Sequence, residues 1–247
     1  MSRQTAPEGA ADLAHSGDPA HSEDPAHPRI RTYHARRGRL SAAHREALSS
    51  SAQRWLLDPT GPRLGLEDAF GRRAPVVVDV GCGMGDSTRE YAGADPGTDL
   101  IAIDVHTRGI ATLLRGIDSD QLVNVRAVHG DAVTFIDQRL AEHSLAGARV
   151  FFPDPWPKAR HAKRRLVQPA FVRLLASRLA PGGFVHCATD DGDYAAQMRE
   201  VLGAEPTLTL HRSLPDDVRR PQTKYERRAD RLGHLVVDLW ATRTLSP

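Results

Sequence analysis

The segment Val76-Val77-Val78-Asp79-Val80-Gly81-Cys82-Gly83-Met84-Gly85-Asp86 limits the possible folds more than any other in the chain. Valines around a single acid suit a strand buried on both faces. Glycines at alternate positions then let the backbone turn tightly, and let a ligand approach without meeting a Cβ. Strand-like runs recur after it at 100–103, 123–128, 150–152, 184–187 and 234–240, with a weaker one at 207–211. Helix-like segments stand between most of them, near 86–92, 108–116, 132–143, 167–180 and 193–202. This alternation predicts an α/β fold with a mostly parallel sheet, helices on both faces and an antiparallel last strand, which no crossover helix precedes. Upstream, residues 41–57 predict one amphipathic helix anchored by Leu48, Trp55 and Leu56, ended by Pro59, Gly61, Pro62 and Gly65.

Residues 1–28 have a different character. Ala14-His15-Ser16-Gly17-Asp18-Pro19 recurs as Ala20-His21-Ser22-Glu23-Asp24-Pro25, and a truncated copy starts at Ala26-His27-Pro28. Without aromatics the segment has little to bury, and a disordered acidic tail is expected, followed by one domain over 29–247. Its three spaced imidazoles make a weak, unspecific site on a flexible chain, so no metal is expected. The tail holds five acids against Arg3 alone, a balance of −4, so the body carries +6 although the whole chain carries +2. That surplus is clustered. Arg29, Arg31, Arg36, Arg37 and Arg39 form one run; Lys158, Arg160, Lys163, Arg164 and Arg165 a second; Arg219, Arg220, Lys224, Arg227, Arg228 and Arg231 a third. Three basic clusters on one domain favour a polyanionic partner. No run of about 18 apolar residues exists to span a membrane, and the first 28 residues lack a signal-peptide core. Cys82 and Cys187 are the only cysteines, too few for a disulfide framework. A cytoplasmic protein without membrane partners is expected, as a monomer or homodimer.

The glycine turn reads G-x-G-x-G, neither the G-x-G-x-x-G dinucleotide fingerprint nor a P-loop. Asp79 lies two residues before Gly81; Asp104 ends the next strand and Asp131 follows the third. An acid at Asp104 can accept ribose hydroxyls. Three strand-end acids around one glycine turn suit a ligand with adenosine and a cationic amino-acid part, which describes S-adenosylmethionine better than a nicotinamide dinucleotide. Asp86, at the start of the following helix, opposes a pyrophosphate there. Beyond the fourth strand, Phe151-Phe152-Pro153-Asp154-Pro155-Trp156-Pro157-Lys158 alternates prolines with an acid and an indole. Proline fixes φ and extends the preceding residue, so a rigid projection with Asp154 at its apex is predicted at the carboxyl end of a central strand. Trp156 is expected to offer a face for stacking a base, and the basic run after it to hold phosphates. The chain's only lysines, Lys158, Lys163 and Lys224, all fall in these motifs.

Together the segments 81–85, 152–158 and 160–165, with Ala188-Thr189-Asp190 and Thr223-Lys224-Tyr225-Glu226, resemble the bacterial tRNA (guanine-N7-)-methyltransferase family over about residues 30–243. The resemblance implies a class I, Rossmann-like fold, S-adenosyl-L-methionine as cofactor, and methylation of guanosine 46 in the variable loop of tRNA. It implies Asp154 as the catalytic residue, and Asp79, Gly81, Gly83, Gly85, Asp104 and Asp131 around the cofactor. Substrate contacts fall on Lys158, Asp190, Thr223, Lys224, Tyr225 and Glu226, and RNA contacts on Arg160, His161, Lys163, Arg164 and Arg165. Many family members carry Glu where this chain has Asp79 and Asp104. Thr223 and Glu226 also have the spacing of a capping box. The residues alone leave open a methyltransferase acting on another RNA or an amine, and a non-catalytic RNA-binding protein on the same fold. Amine methyltransferases usually carry Asn/Asp-Pro-Pro-aromatic where Pro153-Asp154-Pro155-Trp156 stands here.

Overall fold

The structure, a computed structural model, describes residues 32–33, 39–221 and 235–244, all within the unit spanning 31–247. The acidic segment 1–28, Arg29, Arg31, Arg36 and Arg37, and residues Thr223, Lys224, Tyr225 and Glu226 lie outside the described residues. Among the described residues the strands are β1 (Leu56–Leu57), β2 (Val76–Val80), β3 (Asp99–Asp104), β4 (Val125–His129), β5 (Leu145–Phe151), β6 (Leu179–Thr189), β7 (Leu208–Leu210) and β8 (Val237–Arg243). They form one sheet in the order β1-β4-β3-β2-β5-β6-β8-β7. The first six run parallel, and β8 pairs antiparallel with both β6 and β7. The mostly parallel sheet and the antiparallel last strand are thus as expected.

Helices α1 (Ala42–Ser50), α2 (Ala52–Trp55), α3 (Leu66–Phe70), α4 (Asp86–Ala94), α5 (Thr107–Ser119), α6 (Ala132–Arg139), α7 (Pro169–Arg178) and α8 (Gly192–Ala204) cover both faces. Strand register decides what each face presents, because directly paired residues share a side. Val78 aligns with Ile101 and Ala148, and Val80 with Ile103 and Val150. This face is apolar throughout, and it buries Phe135 and Ile136 of α6, Phe171 and Leu175 of α7, and Met198 and Leu202 of α8. On the other face Val77, Leu100, Ala102 and Ala127 pack under Ala92 of α4 and Ile110, Leu113, Leu114 and Ile117 of α5.

Three boundaries differ from the sequence reading. The expected 41–57 helix breaks at Ser51, and Leu56 instead enters β1 opposite Ala127. The serine run explains the break: Ser49 and Ser50 both donate their hydroxyls to Glu46 O at 2.8 Å, competing with the helix for its backbone. β5 starts at Leu145 rather than 150 because its first half, Leu-Ala-Gly-Ala, carries no β-branched signal. Its glycine is needed: a Cβ on Gly147 would stand 2.3 Å from Phe184 Cε1. β6 reaches back to Leu179, through Gly182 at a φ of 79°, where a helix end was expected.

Fully buried Tyr194 joins α8 to the segment before α7, its hydroxyl accepting the Val167 N–H at 3.0 Å. Tyr194→Phe would leave that buried donor unpaired. It should lower the unfolding free energy by about 1–3 kcal/mol, read from urea denaturation.

Candidate active site

The carboxyl ends of β4, β3, β2, β5 and β6 stand side by side. The chain runs outward from β2 through β3 to β4, then returns to β5 on the other side of β2. Strand order therefore reverses between β2 and β5, the place where sheets of this kind open a crevice. The glycine turn leaves β2 on one side of it, and the Asp154 turn leaves β5 on the other.

Gly81, Gly83 and Gly85 have φ of 76°, 61° and 79°, the left-handed region that favours glycine. Space is used differently along the turn. A Cβ on Gly81 or Gly83 would meet nothing within 4 Å, whereas one on Gly85 would collide with Leu113 of α5. The turn thus forms a cradle open above Gly81 and Gly83 and closed against α5 at Gly85. Four of its amides are committed internally. Gly81 and Cys82 both donate to Ile103 O at 2.8 and 3.1 Å, Gly85 donates to Cys82 O at 2.9 Å, and Gly83 donates to Asp104 Oδ2 at 2.8 Å. A cradle built this way directs few donors outward, a poor match for a pyrophosphate and a good one for an uncharged or cationic group. Ser87 Oγ, in the first turn of α4, is buried without a hydrogen-bond partner.

The three expected acids occupy three different positions. Asp104, 7% exposed, accepts the Gly83 N–H on Oδ2 and the His106 N–H on Oδ1 at 2.7 Å. A carboxylate offers about four acceptor sites, so both oxygens keep capacity for ribose hydroxyls. Burial pushes its carboxyl above the ordinary range, against the opposing pull of those two amides. Asp131 caps α6, with Oδ1 accepting from Thr134 N and Oγ1 at 2.8 and 2.9 Å. Asp79 lies below the cradle: it is buried, and its carboxylate accepts the Thr88 hydroxyl, tying β2 to α4. Burial raises the Asp79 carboxyl, while Thr88 and the Arg149 charge act the other way.

Across the crevice, Phe152 and Trp156 hold φ of 49° and 45°. Such a conformation is rare for bulky residues and costs about 1–3 kcal/mol at each. Between them Pro153, Asp154 and Pro155 project from the sheet, and Phe152 N donates to Ala188 O at 2.8 Å, joining the turn to the end of β6 just before Asp190. The segment is non-helical, as expected, but two of its neighbours are placed otherwise than expected. Trp156 is 6% exposed, its indole N–H donating to Thr32 O at 3.1 Å, with the His161 ring edge-on at 5.9 Å and the Arg164 guanidinium 5.0 Å from its ring. It seats the loop and has no open face for a base. Arg165, expected to contact RNA, is 7% exposed; it donates to Pro155 O at 2.8 Å and Gln197 Oε1 at 2.7 Å and lies over the Tyr194 ring. It braces the Asp154 turn from behind. Lys158, Arg160 and Lys163 are exposed, while His161 and Arg164 are half-buried, around the short 3-10 helix Ala159–Arg164.

Two features escaped the sequence reading. Gly109 lets α5 approach the cradle, since a Cβ there would stand 2.3 Å from Gly83 O; helical spacing alone gave no sign of it. The second is a charged group at the far side of the crevice. His186 of β6 is buried and shares its Nε2 proton with Asp238 Oδ1 of β8 at 2.8 Å. Arg220 donates to the same carboxylate, Nε to Oδ1 at 3.0 Å and Nη2 to Oδ2 at 3.3 Å. Burial depresses the His186 imidazole below its ordinary value, against the opposing pull of Asp238. Burial by itself would raise Asp238, but the bonds from His186 and Arg220 prevail and hold it below the ordinary range. These residues lie far apart in the chain, so no motif spacing announces them.

A model of a family described as putative methyltransferase matches residues 73–239. A tRNA (guanine-N(7)-)-methyltransferase of Bordetella pertussis is 49% identical over 217 residues, 87% of this chain and 85% of that protein. One of Burkholderia thailandensis is 46% identical over 244 residues, 96% and 91% of the two chains. Among solved structures, the 16S rRNA methyltransferase KamB aligns with a TM-score of 0.52 at 18% identity, covering 73% of this chain and 92% of that one. The antibiotic-resistance methyltransferase Kmr aligns at 0.50 and 20% identity, covering 76% and 95%. These two likenesses concern the fold.

Gly83→Ala places a methyl group in the open cradle and should weaken S-adenosylmethionine binding by at least about tenfold, read by calorimetry, with a strain cost of only about 1–2 kcal/mol. Gly109→Ala must move α5 off Gly83, so it should weaken binding and also lower unfolding free energy by about 1–3 kcal/mol.

Proposed function

The chain belongs to the tRNA (guanine-N(7)-)-methyltransferase family, and on that premise we propose that it acts on guanosine 46 of the tRNA variable loop, with Asp154 as its catalytic residue. It transfers a methyl group from S-adenosyl-L-methionine to N7 of guanine in tRNA. The observation that carries our assignment of residues is the pairing of an open glycine cradle after β2 with a proline-stiffened turn after β5 that holds Asp154 between the strained Phe152 and Trp156, on either side of the strand-order reversal.

The residues present fit the cofactor. Asp104 has acceptor capacity for ribose hydroxyls, Gly81 and Gly83 leave room for close approach, Asp131 stands at the adjoining strand end, and Ser87 Oγ offers an uncommitted polar group. Asp79 supports the cradle from beneath through Thr88. When bound, S-adenosylmethionine supplies an electrophilic methyl group on a sulfonium.

Guanine N7 has an in-plane lone pair and no proton, so no general base is required. As the base takes on the methyl group, positive charge develops on its five-membered ring. A carboxylate held beside that ring stabilises charge that appears only towards the transition state. We assign this to Asp154, with Asp190 at the next strand end helping to hold the guanine. Rigid presentation matters because alignment of acceptor and methyl supplies much of the rate, and Pro153, Pro155, Trp156 and Arg165 all restrict the turn. Arg160, Lys163 and Arg164 face the tRNA backbone in this reading, and Lys158 is assigned to the substrate. Thr223, Lys224, Tyr225 and Glu226 are assigned to the substrate by their motif. The target base must leave its tertiary contacts to reach the crevice. No helix among the described residues is long and apolar enough to cross a membrane, and no cluster of His, Cys, Asp or Glu among them could hold a metal ion.

Asp154→Asn should lower single-turnover formation of 7-methylguanosine by about 100-fold or more, with cofactor affinity little changed. Near-normal turnover would remove Asp154 from the role. Arg160→Ala and Lys163→Ala should each weaken tRNA binding. Each should also flatten its dependence on log salt by about 0.7–0.9 for every phosphate no longer neutralised, read by filter binding across a salt series.

A further inference from the structure

We propose that Arg220 is a positioning residue for methyl transfer, locked by Asp238 and His186 and acting through Phe152 on Asp154; this rests on the role given to Asp154 above.

Phe152 holds a left-handed conformation that a phenylalanine does not adopt unaided. Such strain persists only where the surroundings over-determine it. Arg220 supplies part of those surroundings. Its guanidinium lies 5.2 Å from the centre of the Phe152 ring and 5.8 Å from that of Phe151. The cation is itself held rigidly. Its side chain is 5% exposed, it engages both oxygens of Asp238, and His186 fixes that carboxylate from the sheet. His186 also meets the Phe151 ring edge-on at 4.8 Å. The backbone is fastened on either side: Tyr91 of α4 donates its hydroxyl to Arg219 O at 3.1 Å, and Pro221 is buried. Arg220 thus bridges the last strand and the two aromatics from which Pro153 and Asp154 project.

Stability alone is a weak explanation for this arrangement. A buried ion pair is often no more stabilising than apolar residues of the same volume, but it fixes geometry and charge in one place. The planar fork of arginine is what allows it to grip Asp238 and face two rings together.

The test is a double-mutant cycle on the full-length chain, with Arg220→Gln and Asp238→Asn made singly and together. Single-turnover transfer of labelled methyl groups to tRNA is measured at saturating cofactor, with KM for tRNA, cofactor Kd and the unfolding midpoint alongside. Each single variant should lose at least about tenfold in rate, as misplacement by a fraction of an ångström does. The double variant should be within about threefold of the worse single, because the pair acts as a unit. KM for tRNA and cofactor Kd should stay close to those of the parent, while the unfolding midpoint falls in each single variant, because one partner of a buried pair is left uncompensated. Arg220→Lys restores the charge without the fork; partial recovery supports the proposal, and it provides the comparison if Arg220→Gln does not fold. Rates within about twofold of the parent, independent multiplication of the two losses, or a fall in cofactor affinity as large as the fall in rate would each overturn it. Labelled-methyl counts read the Arg220–Asp238 coupling whichever atom accepts the group, whereas nucleoside analysis for 7-methylguanosine reads the function proposed above, so the two can fail separately.

Discussion

The site depends on the backbone pairing of β2 with β3 on one side and with β5 on the other. Parallel strands cannot be joined by tight turns, so each needs a crossover that returns the chain to the same starting edge. All the carboxyl ends then face one way. The glycine turn, Asp104, Asp131, the Asp154 turn and Asp190 come from segments spread over more than a hundred residues, yet they meet along one edge of one sheet. The fully apolar face beneath α6, α7 and α8 holds that edge fixed, because interdigitated cores deform little.

The opposite face has a different construction. The paired register sets Asp79, Arg149, His186 and Trp240 in one line across four strands. Arg149 lies 3.5 Å from the Tyr91 ring, which also touches the chain at Arg219, and Phe184 stacks on Trp240 at 4.4 Å. Charges inside a sheet are expensive to desolvate and therefore tolerate little displacement once paired. The line runs from Asp79, beneath the glycine turn, to His186, which bonds Asp238 of the Arg220–Asp238 pair.

Much of this was legible in the sequence. Valine runs, glycine spacing and strand–helix alternation follow from local stereochemistry, which acts over a few residues, and they announced the sheet, the antiparallel last strand and the cradle. The proline-spaced turn was legible for the same reason. The departures were those in which distant partners decide. Trp156 and Arg165 have the composition of a nucleic-acid surface, but Thr32, Gln197 and Tyr194 claim their polar and aromatic faces. Gly109 looks like an ordinary helical glycine until α5 is laid against Gly83. The Arg220–Asp238–His186 group exists only after three segments converge.

The internal commitment of the cradle's amides bears on how this chain treats other metabolites. Adenine nucleotides carry the same ribose that Asp104 is proposed to engage, so recognition of adenosine cannot by itself separate them from the methyl donor. Gly81, Cys82, Gly83 and Gly85 have already given their hydrogens to Ile103, Asp104 and Cys82, and Asp86 stands at the mouth of α4. A polyphosphate entering there would lose its hydration, gain no donor from these four amides and meet a negative charge. Discrimination is thus built from bonds the loop makes with its own neighbours.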